Sequence, residues 1–184
     1  MLVLDIPGQE FWDEKKEQFV SMNPTTLKLE HSLISLSRWE AKWHKPFLNE
    51  KTEKSVEETL DYIRCMTLNP NVDPEVYTRI TTDMVNTITE YIHDPMTATW
   101  FSKEDDNPPS REIVTSEVVY YWMVALNIPF ECQKWHLNRL LTLIRVCNAK
   151  NQPPKKHSKK EIAQRTASIN AARRKAAKAK KGNV

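Results

Sequence analysis

Ser110-Arg111-Glu112-Ile113-Val114-Thr115-Ser116-Glu117-Val118-Val119-Tyr120-Tyr121-Trp122-Met123-Val124-Ala125-Leu126-Asn127 is the longest apolar segment of the chain. Pro108-Pro109 stops whatever precedes it, and Ser110 is a good helix cap. Val114, Val118, Tyr121, Trp122 and Ala125 fall on one face at helical spacing, while Val119, Tyr120 and Met123 cover most of the other. The pattern predicts a helix over 111–127 that is apolar nearly all round, and such a helix belongs in the centre of a fold. Ile128-Pro129-Phe130 then turns the chain. Leu137, Leu140, Leu141 and Ile144 predict a second core helix ending near Asn148.

Upstream, the period is helical back to His31. Leu33, Leu36, Glu40 and Trp43, or alternatively Leu36, Trp39 and Trp43, lie three or four apart until Pro46. Ser55-Val56-Glu57-Glu58 is a capping box, with a hydroxyl at the cap and a carboxylate three residues on. Val56, Leu60 and Ile63 mark one face of the helix it opens, which reaches about Met66. Asp73-Pro74 opens a short helix near Glu75–Ile80, and Val85, Ile88 and Ile92 predict another from Thr82 to Pro95. Met96 to Pro109 reads as a loop, acidic at Glu104-Asp105-Asp106.

The first thirty residues have a different period. Leu2, Val3, Leu4 and Ile6 form a β-type run stopped by Pro7-Gly8, and Phe11-Trp12 and Phe19-Val20 flank a hairpin turn at 13–17. Asn23-Pro24 is another turn signal, after which Leu27 and Leu29 alternate with Lys28 and Glu30. The expected fold is therefore mainly α with a small N-terminal antiparallel β element. Residues 1–30 form a β-hairpin region, 31–150 a helical, bundle-like core domain, and 151–184 a basic arm.

Charge sets that arm apart. Residues 151–184 hold eleven Lys/Arg against one acid, Glu161; that is +10 locally, which within a total of +3 leaves −7 on residues 1–150. Ser158-Lys159-Lys160-Glu161 is a further capping box and the run beyond it is rich in alanine. An apolar face of little more than Ile162 and Ile169 makes it marginal as an isolated helix, so a partly helical or disordered arm that orders on contact is expected.

Several function classes are hard to build from these residues. Gly8 and Gly182 are the only glycines, and both lie outside the expected core, so dinucleotide fingerprints, phosphate loops and nucleophile elbows have nowhere to form. The three cysteines, Cys65, Cys132 and Cys147, make no CxxC pair, and the five histidines share no metal-ligand spacing. No catalytic set, metal site or cofactor is expected. No apolar stretch approaches the roughly 18 residues of a membrane span, and the N-terminus lacks the charge and apolar run of a signal peptide. A cytoplasmic binding protein is the expectation.

Two candidate contact regions follow. Trp39, Trp43 and Phe47 stand among Arg38, Lys42 and Lys45, an aromatic–cation mixture typical of binding hot spots. Core packing is expected to explain most of the aromatic cluster that also includes Trp100, Phe101, Tyr120, Tyr121, Trp122, Phe130 and Trp135. In the arm, Lys155, Lys156, Lys159, Lys160, Arg165, Arg173, Arg174 and Lys175 could meet an acidic protein surface or neutralise phosphates. No aromatic follows Trp135 to stack single-stranded bases.

Four strings, Ser35-Leu36-Ser37-Arg38-Trp39-Glu40-Ala41-Lys42-Trp43-His44-Lys45-Pro46-Phe47-Leu48, Asp61-Tyr62-Ile63-Arg64-Cys65-Met66-Thr67, Pro95-Met96-Thr97-Ala98-Thr99-Trp100-Phe101 and Ile128-Pro129-Phe130-Glu131-Cys132-Gln133-Lys134-Trp135-His136-Leu137-Asn138-Arg139-Leu140, together resemble tail assembly chaperones from siphophage tail-gene clusters. The resemblance covers most of the chain. It implies a protein of the host cytoplasm with no catalytic residues. Such a protein transiently binds the tape measure protein, helps load tail-tube subunits around it, and leaves before the particle is complete. The alternatives are a structural head–tail connector or neck protein that stays in the virion, and a nucleic-acid-binding module acting through the arm.

Overall fold

The computed structural model describes residues 1–14, 17–49, 51–101, 113–151, 163–164 and 166–174, apart from the side chains of residues 11, 13 and 20. The protein is mainly helical, with a small N-terminal antiparallel β element. Backbone contacts divide the chain into two compact units, Met1–Ala149 and Lys150–Val184.

The first unit begins with a β-ribbon. Strands β1 (Leu2–Ile6) and β4 (Thr25–Leu29) pair antiparallel, as do β2 (Gln9–Asp13) and β3 (Gln18–Met22). Leu2 faces Leu29 and Gln9 faces Met22, so the second ladder continues the first in the same register. The gap falls where Pro7 and Pro24 have no N–H to give. Arg79 closes it, donating from Nη1 to the carbonyls of Pro7 (2.7 Å) and Asn23 (3.3 Å). Glycine is needed at position 8, because a Cβ there would stand 2.9 Å from the Met22 carbonyl oxygen. Alternation along β1 and β4 turns Leu4, Ile6, Leu27 and Leu29 into the core. The outer edge of β4 is covered: Leu68 N–H donates to Lys28 O, and the Asn69 side chain bonds the backbone of Thr26 and Lys28.

Five α-helices follow. Helix α1 (Leu33–Trp43) starts at a capping box of Ser32 with Ser35 and ends at His44, which takes the left-handed conformation two residues ahead of Pro46. Helix α2 (Val56–Met66) starts at the Ser55–Glu58 box. A 3-10 helix over Pro74–Arg79, capped by Asp73, precedes α3 (Thr82–His93). Helix α4 (Ser116–Ala125), a 3-10 turn over Phe130–Lys134 and α5 (Leu137–Asn151) complete the order.

Two hydrophobic clusters share this scaffold. The ribbon, α2, the 3-10 helix at Pro74–Arg79 and α3 close around Trp39, Ile63, Met66 and Ile88. The α4 and α5 helices close around Leu33, Leu36, Val119, Met123 and Leu140. Helix α1 contributes to both, and Phe47 packs against each.

Three sequence expectations need correction. The apolar segment is helical from Ser116 only; Ile113, Val114 and Thr115 are described and extended or irregular, as suits a β-branched run. Helix α4 is also not central: it buries Ser116, Val119 and Met123 against one side only, leaving Tyr121 68% and Val124 60% exposed. In α2, Val56 is exposed, and the buried face instead carries Glu58 and Asp61 with Tyr62, Ile63 and Met66.

Helix α4 has no side-chain cap of its own from Thr115. Its first N–H, that of Ser116, donates to Glu40 Oε2 at 2.7 Å, while Phe47 N–H donates to Oε1 at 2.8 Å. The buried carboxylate thus satisfies an otherwise orphaned helix donor and sits at the positive end of the α4 dipole. Replacing it with alanine orphans both amides. Glu40→Ala is therefore expected to lower unfolding free energy by roughly 2–4 kcal/mol in urea titrations. Glu40→Gln, which keeps an acceptor, should cost less.

Candidate interaction surface

Helices α1 and α2 account for Trp39 and Trp43. Trp39 is 0% exposed: its Nε1–H donates to Glu58 O at 2.8 Å, and Phe47 meets its ring edge-on at 5.0 Å. Trp43 Nε1–H donates to Asp61 Oδ2 at 2.9 Å. Lys42 pairs with Asp61 and Lys45 with Glu58. Lys45 and the Ser55 N–H together hold the Glu58 carboxyl below its ordinary range. Lys54 caps the group, 4.3 Å from the Phe47 ring centre, and its ammonium pKa is lowered by burial.

The expected exposed patch at Trp39, Trp43 and Phe47 is therefore corrected. Trp39 is core, Trp43 and Phe47 are half-buried rim, and the basic residues beside them answer acids on α2. The chemistry is that of a hot spot, but both sides of the interface belong to one chain.

Of the arm residues, Lys155, Lys156, Lys159, Lys160, Arg165 and Lys175 lie outside the described residues. Arg173 and Arg174 are on helix and exposed, as is every described residue between 163 and 174.

Exposed apolar surface appears elsewhere. On α4, Tyr121 and Val124 are three residues apart and adjoin the half-buried Tyr120, whose ring lies 6.3 Å from that of the exposed Phe130. Tyr120 is fixed from behind by its hydroxyl, which donates to Gln133 Oε1 at 2.9 Å. The stripe runs from Tyr121 through Val124 and Tyr120 to Phe130, and Ile113 is also exposed. At its head, the Glu117 carboxylate is stabilised by its own backbone N–H and the Thr115 hydroxyl, which lower its pKa. A second exposed apolar pair sits on the ribbon, where Trp12 and Phe19 face each other across β2 and β3 with rings 5.0 Å apart. Trp100 is exposed as well. Trp100, Tyr121 and Phe130 are thus the members of the aromatic cluster that core packing does not absorb. Sequence reasoning missed the stripe because a helix apolar on every side carries no mark of which side is left uncovered.

Reactive chemistry is scarce among the described residues. No group of three or more His, Cys, Asp or Glu side chains could hold a metal. The three thiols are free, and burial with the nearby Asp61 pushes Cys65 up to about 11, so it is a thiol at neutral pH. No described helix is long and apolar enough to cross a membrane.

No family model matches this chain, and neither a curated protein nor a solved structure shows significant similarity to it.

The two aromatic groups separate in a stability measurement. Trp39→Ala is expected to cost about 3–5 kcal/mol, the range for a fully buried large aromatic. Tyr121→Ser and Val124→Ser should each stay within about 0.5 kcal/mol of the parent. Thermal unfolding followed by circular dichroism resolves the difference.

Proposed function

We propose that this protein is a non-catalytic tail assembly chaperone, binding apolar helical segments of a phage tape measure protein in the host cytoplasm until tail-tube subunits enclose them. The resemblance of residues 35–48, 61–67, 95–101 and 128–140 to siphophage tail assembly chaperones supports the class. The single observation that carries the mode of binding is the exposed stripe Tyr121–Val124–Tyr120–Phe130.

A contiguous apolar patch on a folded surface is a binding site or an aggregation hazard. Here it lies along a helix whose other side is anchored by Val119 and Met123, so it is rigid before a partner arrives. An amphipathic client helix laid against it would bury its own apolar face, as in helix-in-groove recognition. Tyrosine and phenylalanine supply contact area at small entropic cost. The basic arm suits an acidic stretch of client or tube subunit and would speed encounter at low salt.

Co-expression with the tape measure protein of the same gene cluster is expected to yield a soluble complex. The double variant Tyr121→Asp/Val124→Asp should abolish that complex while thermal stability stays near the parent's. Mass spectrometry of purified particles should find the protein missing or scarce. Recovery at the copy number of a structural component would replace this reading with that of a connector or neck protein.

A further inference from the structure

Away from the α4 stripe, two buried histidines occupy the seam between the clusters. His31 lies between β4 and α1, and His136 immediately precedes α5; their rings meet edge-to-face at 5.1 Å. The backbone joins them too. Leu137 N–H donates to His31 O at 2.7 Å, and Ser32 forms a β-bridge with His136. On its far side, the start of α5 closes the end of α3: His136 Nε2 bonds Tyr91 O at 3.0 Å, and the Asn138 amide donates to Ile92 O and Asp94 O. His31 Nδ1 shares a 2.6 Å hydrogen bond with the Tyr62 hydroxyl on α2. Three elements of one cluster and the first turn of α5 are thus fastened at one point.

The hydrogen bonds settle where an added proton must go. A carbonyl only accepts, so His136 Nε2 carries the hydrogen that bonds Tyr91 O. Its Nδ1 is then the basic atom, and this atom is buried with no hydrogen-bond partner among the described residues. A proton there would create a buried imidazolium whose new N–H has no acceptor. We propose that the His31–His136 pair is an acid-sensitive latch, which on protonation releases the start of α5 from the α3 end and from the segment entering α1.

Every packed element contributes to the balance. Burial lowers both imidazoles, His31 to about 3, and the His136 ring further opposes charging of His31. His93 of α3 further lowers His31, and Tyr62 faces it as a neutral phenol whose pKa is raised. Around His136, Glu30 and Asp94 favour the proton and the Met1 amine opposes it. Glu30 is itself held by the Met1 amine at 3.0 Å and by the Tyr91 hydroxyl at 2.7 Å. Both folded pKa values lie below the unfolded value of about 6.5, so the closed seam is fully favoured above that pH and weakens as pH falls below it.

Amide hydrogen exchange on the full chain tests the latch. Between pH 7 and pH 5, the protection factor of the Leu137 amide, corrected for intrinsic exchange, is expected to fall on the order of 20-fold. Amides inside α2 should lose distinctly less. His136→Gln, which keeps a donor for Tyr91 O and cannot titrate, should reduce the pH dependence at Leu137, leaving the part that belongs to His31. Should that variant fail to fold, NMR titration of the parent decides instead: imidazole resonances of His31 and His136 that titrate near 6.5 in the folded state overturn the proposal. An equal loss of protection at every amide, or none at Leu137, overturns it too.

Discussion

Helix α1 has to serve two hydrophobic clusters, and the arrangement of the first unit follows from how it does so. Its first turns give Leu33 and Leu36 to the cluster shared with α4 and α5, and its last turns give Trp39 to the cluster under the ribbon. Glu40 sits between them. A carboxylate in that place would be costly if it met only apolar groups. It is retained with two N–H donors, one of which opens α4. Cluster packing and helix capping are therefore coupled through one side chain, which fixes where α4 begins and hence which of its faces is left to solvent.

Polar groups do comparable work at the α1–α2 contact. Glu58 and Asp61 are buried, yet each is met by a lysine from α1 or the segment after it, and the two indole N–H groups find α2 acceptors. The carboxylates are buried and the lysines half-exposed, so removing a lysine leaves an uncompensated buried charge. Their consequence here is rotational: α2 presents two acids to the interior and turns Val56 outward. With Trp39 and Trp43 engaged internally, exposed apolar surface is found instead on α4, at the Phe130 turn, at the Trp12–Phe19 pair of the ribbon and at Trp100.

The seam at His31 and His136 adds a dependence on solution conditions to an otherwise conventional interior. Most joints between clusters are closed by aliphatic side chains that respond to temperature and denaturant alone. This one is closed by neutral imidazoles, backbone bonds and an amide cap on α3. The α4 stripe is anchored in the same cluster as the start of α5, so loosening one bears on the other.

Local signals in the chain were enough for much of the architecture. The Ser55 capping box, Asp73-Pro74 and the alternation at Leu27 and Leu29 act within a few residues, so they set helix starts and strands unaided. The same holds for the mainly helical class and the charge asymmetry of the arm. Asn23-Pro24, expected to turn the chain, instead runs on opposite Pro7 between the two ladders. What lay beyond sequence was orientation. Trp39 beside Lys42 and Lys45 reads alike whether the answering acids belong to a partner or to α2. The helix at 116–125 is apolar on all sides, so only its neighbours decide which side is covered. Tertiary structure decided those points because burial depends on what stands opposite a residue, and here the opposing groups, Glu40 for α4 and Glu58 and Asp61 for α1, come from elsewhere in the chain.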